Sequence, residues 1–315
     1  MNEKADPMEF VFARLIFTLR LDRDCPDPYS LFGIRNFFKD VFRNAVCQRQ
    51  GQCETCREKD CCSYHHAFSQ AISNDRLAVK RHQKPSLPFV FDLAPVPDQP
   101  NEGDEVEIGM NLAGSAITYA RDYITAVCQL FRQDGPAGTV RGTVIKVESE
   151  TCSGFRNSIM QNGGTASYDA ISTISARDLA ETRTLDQNRV RLTVTTPIRL
   201  MGDGKPVRDF AFSSFVRALM RRISSLAYYY YGGGLDYDYG WLSSISTSIV
   251  ISENDFRWTR WDEDRRGEWL SGITGSGTCE GMLVDFHPFL LLGEYFHVGK
   301  GSPYGLGRYR IEKNL

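Results

Sequence analysis

The chain has 315 residues, of which 42% are hydrophobic and 24% charged, with a formal net charge of −2. These values are typical of a globular chain with a real core, and the length is about that of two domains. The small net charge argues against a generic nucleic-acid coat. The sequence starts MNEKADPMEF without an apolar run. It also contains no stretch of about 18 uncharged apolar residues, so we expect no signal peptide, no membrane partner and a cytoplasmic location.

The first half of the sequence predicts alternating strands and helices. Apolar–polar alternation predicts a strand at 9–21, and apolar residues at helical spacing predict helices at 30–46 and 115–132. Further strands are predicted at DEVEIGMNLAG and TVRGTVIKVES, on either side of the second helix. This order favours a ferredoxin-like domain over 1–152, although one of its four strands cannot be placed.

The second half repeats the coarse plan of the first. Residues 153–187 are rich in Ser, Gly, Asn and Thr and predict a linker. In 188–315, RVRLTVTTPIRL predicts a strand and 210–229 a helix, with later strands at SISTSIVIS, CEGMLVDF and GRYRIE. We therefore expect an α+β protein with two tandem ferredoxin-like (RRM-like) domains, and a cysteine-rich insert at about 47–68 in the first.

Five of the nine cysteines lie within sixteen residues. Without a secretory signal, such crowding favours a metal site over disulfides. A C-x2-C turn can point two thiolates at one ion, so we expect a structural zinc at Cys47, Cys53, Cys56 and Cys62, with Cys61 as a substitute for Cys62. Because a second C-x2-C pair is missing, reduced thiols remain the alternative.

Basic residues are concentrated in three places. The clusters consist of Arg35, Lys39 and Arg43; of Arg208, Arg217, Arg221 and Arg222; and of Lys300, Arg308, Arg310 and Lys313. Such clusters can create a local phosphate-binding field on a nearly neutral protein. The stripe on the first helix, spaced i, i+4 and i+8, is also typical of a solvated helix face.

The most distinctive segment is HVGKGSPYGLGRYRI at 297–311, with four glycines and three basic side chains. Its spacing fits neither the dinucleotide fingerprint nor the Walker loop. We interpret it as a flexible basic loop that another backbone can approach closely, because glycine has no side chain to block it. The basic residues predict a phosphate-rich partner, and a tight hairpin is the alternative.

Several of these segments resemble one known family. TVTTPIRL, DFAFSSFVRALMRRISSL, GMLVDF and LLLGEYFHVGKGSPYGLGRYRI are similar to the C-terminal half of the CRISPR-associated pre-crRNA processing endoribonucleases. CCSYHHAF, after the first helix, is similar to a motif in one branch of this family. The family belongs to the repeat-associated mysterious protein (RAMP) superfamily. The resemblance implies tandem ferredoxin-like domains, binding of CRISPR repeat RNA, and cleavage without a catalytic cofactor. A ribose 2′-hydroxyl would attack the adjacent phosphate and leave a 2′,3′-cyclic phosphate.

The resemblance also implies functional residues. The family loop corresponds to Gly299, Lys300, Gly301, Gly305, Gly307 and Arg308. Further implied RNA contacts are Arg217, Arg221 and Arg222, with Arg35 and Lys39 from the first helix. His65 and His66 fit the family's place for a catalytic histidine, although they could equally be ligands of the cysteine cluster. His297 matches a histidine in the loop motif, and we expect it to be a core residue at a strand end.

Two other functions are compatible with the same features. A related non-catalytic scaffold of a CRISPR effector complex would clamp the handle of a mature crRNA with the same loop, and other subunits would then be partners. A generic single-stranded RNA-binding module would use Tyr228 to Tyr231 as stacking platforms. Four tyrosines at the end of an amphipathic helix are more typical of packing than of stacking.

Overall fold

The computed structural model describes residues 7–25, 27–47, 52–74, 85–96, 100–132, 140–202, 204–261 and 269–312. Within these ranges the chain divides into two compact units. The N-terminal unit comprises residues 12–174, and the C-terminal unit comprises 7–11 and 175–312. None of the helices in the described ranges is both long and apolar enough to cross a membrane.

The N-terminal unit contains an antiparallel sheet with the order β2-β3-β1-β4-β5. Its strands are β1 (Val11–Leu21), β2 (Phe89–Asp92), β3 (Glu105–Ala113), β4 (Gly142–Glu150) and β5 (Arg156–Gln161), and the short β6 (Thr173–Ser175) also pairs with β1. Its helices are α1 (Phe38–Val46), α2 (Ser63–Phe68) and α3 (Ala120–Arg132). The first four strands lie in the order 2-3-1-4, with α1 after the first and α3 after the third, which is the ferredoxin-like arrangement. The strand that the sequence could not place is β2.

Both long helices of this unit are shorter than the sequence predicted, because each is preceded by a separate 3-10 helix. Ser30–Asn36 precedes α1 and Gly114–Tyr119 precedes α3. At Phe37 the backbone has φ −123°, which ends the first segment before α1 starts. The aromatic rings of Phe42 on α1 and Tyr123 on α3 then pack with centroids 4.8 Å apart.

The segment 153–187 corrects the expectation of a linker. It contains β5, which extends the sheet of the N-terminal unit, and α4 (Ala176–Thr182), which belongs to the C-terminal unit. A capping box between Ser175 and Asp178 starts this helix. The elements are short and polar, so their periodicity is weak in the sequence.

The C-terminal unit repeats the same topology. Its sheet has the order β10-β12-β7-β13, with β11 also paired to β12, and a separate hairpin joins β8 and β9. The strands are β7 (Arg189–Ile198), β8 (Met201–Gly202), β9 (Lys205–Pro206), β10 (Val250–Ser252), β11 (Arg257–Arg260), β12 (Ser271–Glu280) and β13 (Tyr309–Ile311). The helices are α5 (Phe212–Tyr230), α6 (Tyr239–Ile245) and α7 (His287–Phe296). The predicted tandem ferredoxin-like α+β fold is therefore confirmed.

One predicted strand of this unit is wrong. CEGMLVDF was expected to be a strand, but β12 ends at Glu280 and Val284–Phe286 forms a 3-10 helix that leads into α7. The sequence did not predict α7 because this helix is buried over most of its circumference, so its apolar residues do not mark one face.

The first residues of the described chain also belong to the C-terminal unit. The ring of Phe10 packs against that of Phe296 with centroids 5.5 Å apart, and its carbonyl accepts a hydrogen bond from the Ala176 N–H at 3.0 Å. The C-terminal unit is thus assembled from two separate parts of the chain.

Candidate functional site

The glycine loop, defined here as residues 297–308, connects α7 to β13 in the C-terminal unit. Gly299, Gly301, Gly305 and Gly307 have φ values of 90°, 89°, 90° and 74°. This left-handed backbone is costly for every residue that carries a Cβ, so the loop requires glycine at these points. Between the second and third glycines the chain forms a 3-10 helix, Ser302–Tyr304.

The backbone that approaches the glycines belongs to this protein. A Cβ at Gly299 would lie 2.7 Å from the Arg199 carbonyl oxygen, and one at Gly307 would overlap the Val298 carbonyl. The Lys300 N–H donates to the Arg199 carbonyl at 2.9 Å, and the Gly307 N–H to the Pro197 carbonyl at 3.0 Å. Gly299 and Gly307 are thus explained by close packing against backbone of the loop and of the end of β7.

Both ends of the glycine loop are held by buried polar contacts. Glu294 on α7 accepts a hydrogen bond from the Ile311 N–H at 2.7 Å, and its other carboxylate oxygen pairs with the Arg183 guanidinium. Burial raises the pKa of Glu294, and the nearby Arg183 opposes this effect. The Tyr309 hydroxyl donates to the Leu290 carbonyl at 2.7 Å. These contacts join α7, which precedes the glycine loop, to β13, which follows it, and so fix both ends of the loop.

The predicted basic residues of the C-terminal unit differ in their exposure and in their hydrogen bonds. Lys300 and Arg221 are exposed, while Arg308 is half-buried and donates its N–H to Thr196 Oγ1 at 2.8 Å. Arg217 donates from its guanidinium to the Ser243 carbonyl at 2.9 Å. Arg222 is half-buried, and its Nε donates to the Phe296 carbonyl at 2.6 Å, while burial lowers the pKa of its guanidinium to about 9. Arg217 and Arg222 therefore have structural contacts within their own unit.

His65 and His66 lie on α2 of the N-terminal unit, and both are half-buried. His66 Nε2 is 2.8 Å from Ser115 Oγ, and its ring lies 4.9 Å from that of Tyr119. Burial lowers the pKa of His66 to about 4, and the neighbouring His65 adds to the effect. His66 is therefore neutral at pH 7 and held in one orientation. Ser115 and Tyr119 could not be found from the sequence, because they lie about fifty residues further along the chain.

The basic stripe on the first helix reaches the helix that carries the histidines. Arg35 and Lys39 are both exposed. The Lys39 ammonium lies 6.0 Å from the centroid of the Phe68 ring at the end of α2. The structure thus places a cation beside the segment that contains His65 and His66.

The cysteine cluster does not form a ligand set as placed. Across the described ranges, no group of three or more His, Cys, Asp or Glu side chains is arranged to hold a metal ion. Ser69 Oγ donates to Cys53 Sγ at 3.6 Å, and the Cys56 N–H to the Cys53 carbonyl at 3.3 Å. Cys47 follows α1, and Cys62 immediately precedes α2. Zinc binding remains a prediction.

His297 lies fully buried at the C-terminal end of α7. Its N–H donates to the Gly293 carbonyl at 2.8 Å, and its backbone has φ 56°. It is a core residue, but it ends a helix, where we had expected a strand end.

Two family models match the chain in adjacent parts. Residues 10–172, just over half of the chain, match the N-terminal domain family AF_1859_N, and residues 192–309 match the CRISPR-associated endoribonuclease Cas6. The first range contains α2 with His65 and His66, and the second contains the whole glycine loop. No curated protein is a significant match to the sequence.

Solved structures share the fold over nearly the whole chain. A product complex of the Thermus thermophilus Cas6 TTHB231 covers 96% of this chain and 100% of its own, with 12% identity and a TM-score of 0.56. A product complex of the Cas6 TTHA0078 covers 96% and 100%, with 16% identity and a TM-score of 0.55. A partial Cas6-RT-Cas1–Cas2 complex covers 98% of this chain and 47% of its own, with 12% identity and a TM-score of 0.58. At these identities the similarity shows the fold.

The chain therefore consists of two ferredoxin-like units, with a glycine loop in the second. Over residues 10–172 the chain belongs to the AF_1859_N N-terminal domain family, and over residues 192–309 it is similar to the CRISPR-associated endoribonuclease Cas6.

Proposed function

We propose that this protein binds CRISPR repeat RNA and cleaves precursor crRNA by a metal-independent reaction. The observation that carries the proposal is the Cas6 match over 192–309, which includes the whole glycine loop, whose ends are fixed and whose Lys300 is exposed. Two solved proteins with the same fold are product complexes of Cas6 enzymes, which supports a bound RNA here. A further relative is part of a Cas6-RT-Cas1–Cas2 complex, so other CRISPR proteins are proposed partners.

We propose that the RNA backbone contacts the exposed cations of each unit. In the C-terminal unit these are Lys300 and Arg221, with Arg308 at the end of the glycine loop. In the N-terminal unit they are Arg35 and Lys39. Contacts of this kind fix the register of the RNA without reading its sequence. Arg217 and Arg222 support the same surface through their backbone contacts and contribute less to binding.

The proposed chemistry needs proton transfer but no metal. The ribose 2′-oxygen forms a bond to the adjacent phosphorus as the bond from phosphorus to the 5′-oxygen breaks. A base takes the 2′-hydroxyl proton, and an acid gives a proton to the departing 5′-oxygen. The products are a 2′,3′-cyclic phosphate and a 5′-hydroxyl.

We assign different roles to the two histidines. His66, neutral at pH 7 and hydrogen-bonded to Ser115, is a weak base and is better suited to holding α2 in position. His65 is the proposed proton-transfer residue, because histidine suits this task and its side chain is half-buried on the same helix. Lys39 is the proposed cation that steadies the charge on phosphorus.

The direct test uses labelled repeat RNA in excess chelator. We expect one cut and a 2′,3′-cyclic phosphate end, with His65→Ala slowing the reaction by roughly 10²-fold or more. His66→Ala should lower stability more than the rate of the folded enzyme. If the wild-type protein binds the RNA tightly and never cuts it, the non-catalytic scaffold that clamps the crRNA handle is the correct function.

A further inference from the structure

A paired row of side chains lies at the edge of the C-terminal unit. Alternate residues of an extended chain point to the same side, and two alternate residues of the segment before α5 contact the ring of Trp258 on β11 and the ring of Phe256 just before it. Phe210 stacks on Phe256, with ring centroids 3.9 Å apart and an interplanar angle of 22°. Arg208 lies over Trp258, with its guanidinium carbon 5.3 Å from the ring. Together the two contacts form a ladder.

The two contacts of the ladder have different surroundings. In the Phe210–Phe256 contact both rings are half-buried: a Cβ at Gly277 would lie 2.7 Å from the Phe256 ring, and the ring centroids of Phe210 and Phe215 are 5.4 Å apart. In the Arg208–Trp258 contact, by contrast, the arginine is exposed and the tryptophan half-buried. In the described part of the chain, Arg208 has no ion-pair partner. The half-buried phenylalanine contact therefore lies next to an arginine–tryptophan pair at the surface.

The surface around this pair is positively charged. Residues 204–210 and 255–260 contain Lys205, Arg208 and Arg260, all exposed, against Asp209 and Asp255, while Arg257 lies on the other side of β11 from Trp258. A flat aromatic ring among exposed cations is the chemistry that binds single-stranded nucleic acid, because bases stack on the ring and phosphates contact the charges. An arginine already lying over a ring presents its outer planar face to a base.

We infer that the Arg208–Trp258 pair is a stacking site for an unpaired nucleobase of the bound RNA. The inference rests on the proposed function and deepens it, because it names the part of the RNA that this surface recognises. A base within a duplex already has both faces covered, so the site selects an unpaired nucleotide next to a hairpin over a paired one.

The test compares two RNAs, a repeat hairpin with an unpaired flank and the same hairpin without the flank. Trp258→Leu and Arg208→Ala should each weaken binding of the flanked RNA by roughly tenfold and leave binding of the bare hairpin nearly unchanged. Trp258→Phe should retain much of the affinity, because a flat ring remains.

The matched control is Arg257→Ala. Arg257 is also exposed and without an ion pair in the described chain, but it lies on the opposite side of β11 from Trp258. The Arg257→Ala substitution removes one positive charge, as Arg208→Ala does. It should weaken binding of the flanked RNA and of the bare hairpin equally and reduce the salt dependence of the affinity. Equal effects of Arg208→Ala and Arg257→Ala on both RNAs would overturn the stacking site and leave only a general charge effect.

Two readouts separate this inference from the proposed function. Emission from Trp258, taken as the difference between wild type and Trp258→Phe, should be quenched by the flanked RNA and not by the bare hairpin. If wild type and Trp258→Leu bind and cut both RNAs alike, the stacking site is wrong, and the proposed endoribonuclease function is retained. If the flanked RNA quenches Trp258 emission in wild type but is not cut in excess chelator, the stacking site is supported and the metal-independent nuclease function is contradicted.

Discussion

His66 shows how neighbouring side chains can remove a charge that the sequence suggests. Its folded pKa of about 4 is below the ordinary value of 6.5, so between these values the unfolded chain binds more protons than the folded one. The free energy of unfolding contributed by this group is therefore fully present above pH 6.5 and is lost as the pH falls towards 4. Ser115 and Tyr119 provide the enclosure.

The corresponding prediction concerns His66→Gln, which can keep a hydrogen bond to Ser115 but cannot titrate. Thermal unfolding across the window from pH 6.5 to about 4 should show a smaller loss of stability on acidification than in wild type. The measurement is the melting temperature of both proteins in matched buffers. An identical pH dependence would show that His66 is not held neutral by burial.

Two causes can require glycine at a position: a left-handed backbone, and a neighbouring atom that would overlap a Cβ. A comparison of Gly307 with Gly204 separates these causes. Gly307 and Gly204 have nearly equal φ values, 74° and 77°, but a Cβ overlaps Val298 only at Gly307, with nothing within 4 Å at Gly204. Gly204→Ala should therefore lower the free energy of unfolding by roughly 1–2 kcal/mol, the usual cost of left-handed backbone. Gly307→Ala should cost clearly more and should also weaken RNA binding.

Denaturant unfolding of the two variants tests this difference. Equal losses of stability would mean that the contact with Val298 relaxes without cost. A Gly307→Ala protein of reduced stability but unchanged RNA affinity would show that the loop conformation does not matter for binding.

Among the elements, those with long and regular patterns were predictable. The strands β1, β3 and β7 and the helices α3 and α5 follow from alternation or helical spacing, because each pattern runs over nine or more residues. β2 has only four residues, all buried, and α7 is buried on nearly every side, so neither has such a pattern. The topology then follows from the order of the elements.

The site was predictable only where it is local in sequence. The glycine loop is a contiguous motif, so its residues could be found without a structure. The ion pair between Arg183 and Glu294, which fixes the loop end, joins residues 111 apart. The stacking of Arg208 on Trp258 likewise depends on two segments that meet only in the fold. Contacts of this kind have no local signature.

The cysteine segment carries a prediction that remains to be tested. If Cys47, Cys53, Cys56 and Cys62 bind zinc, purified protein should contain about one zinc per chain, and Cys53→Ser with Cys56→Ser should remove it and lower stability. Cys152→Ser, outside the cluster, is the control and should keep the metal. Because the structure does not bring three of these ligands together, protein without any transition metal would favour reduced thiols.

At the scale of the whole molecule, the two units share one topology but contain different candidate functional residues. The histidines of α2 belong to the N-terminal unit, and the glycine loop and the Arg208–Trp258 pair belong to the C-terminal unit. A net charge of −2 is compatible with RNA binding because the exposed cations are concentrated in a few segments. The proposed enzyme thus depends on local surfaces and not on overall charge.

The most direct test of the central claim replaces one ribose by deoxyribose on the 5′ side of the cut in the repeat RNA. The substitution removes only the nucleophile, so we predict unchanged binding and complete loss of cleavage in excess chelator. A two-metal nuclease uses water activated by its ions, which would make cleavage chelator-sensitive and indifferent to the 2′-hydroxyl. Cleavage of the deoxy-substituted RNA at the normal rate would contradict the proposed mechanism.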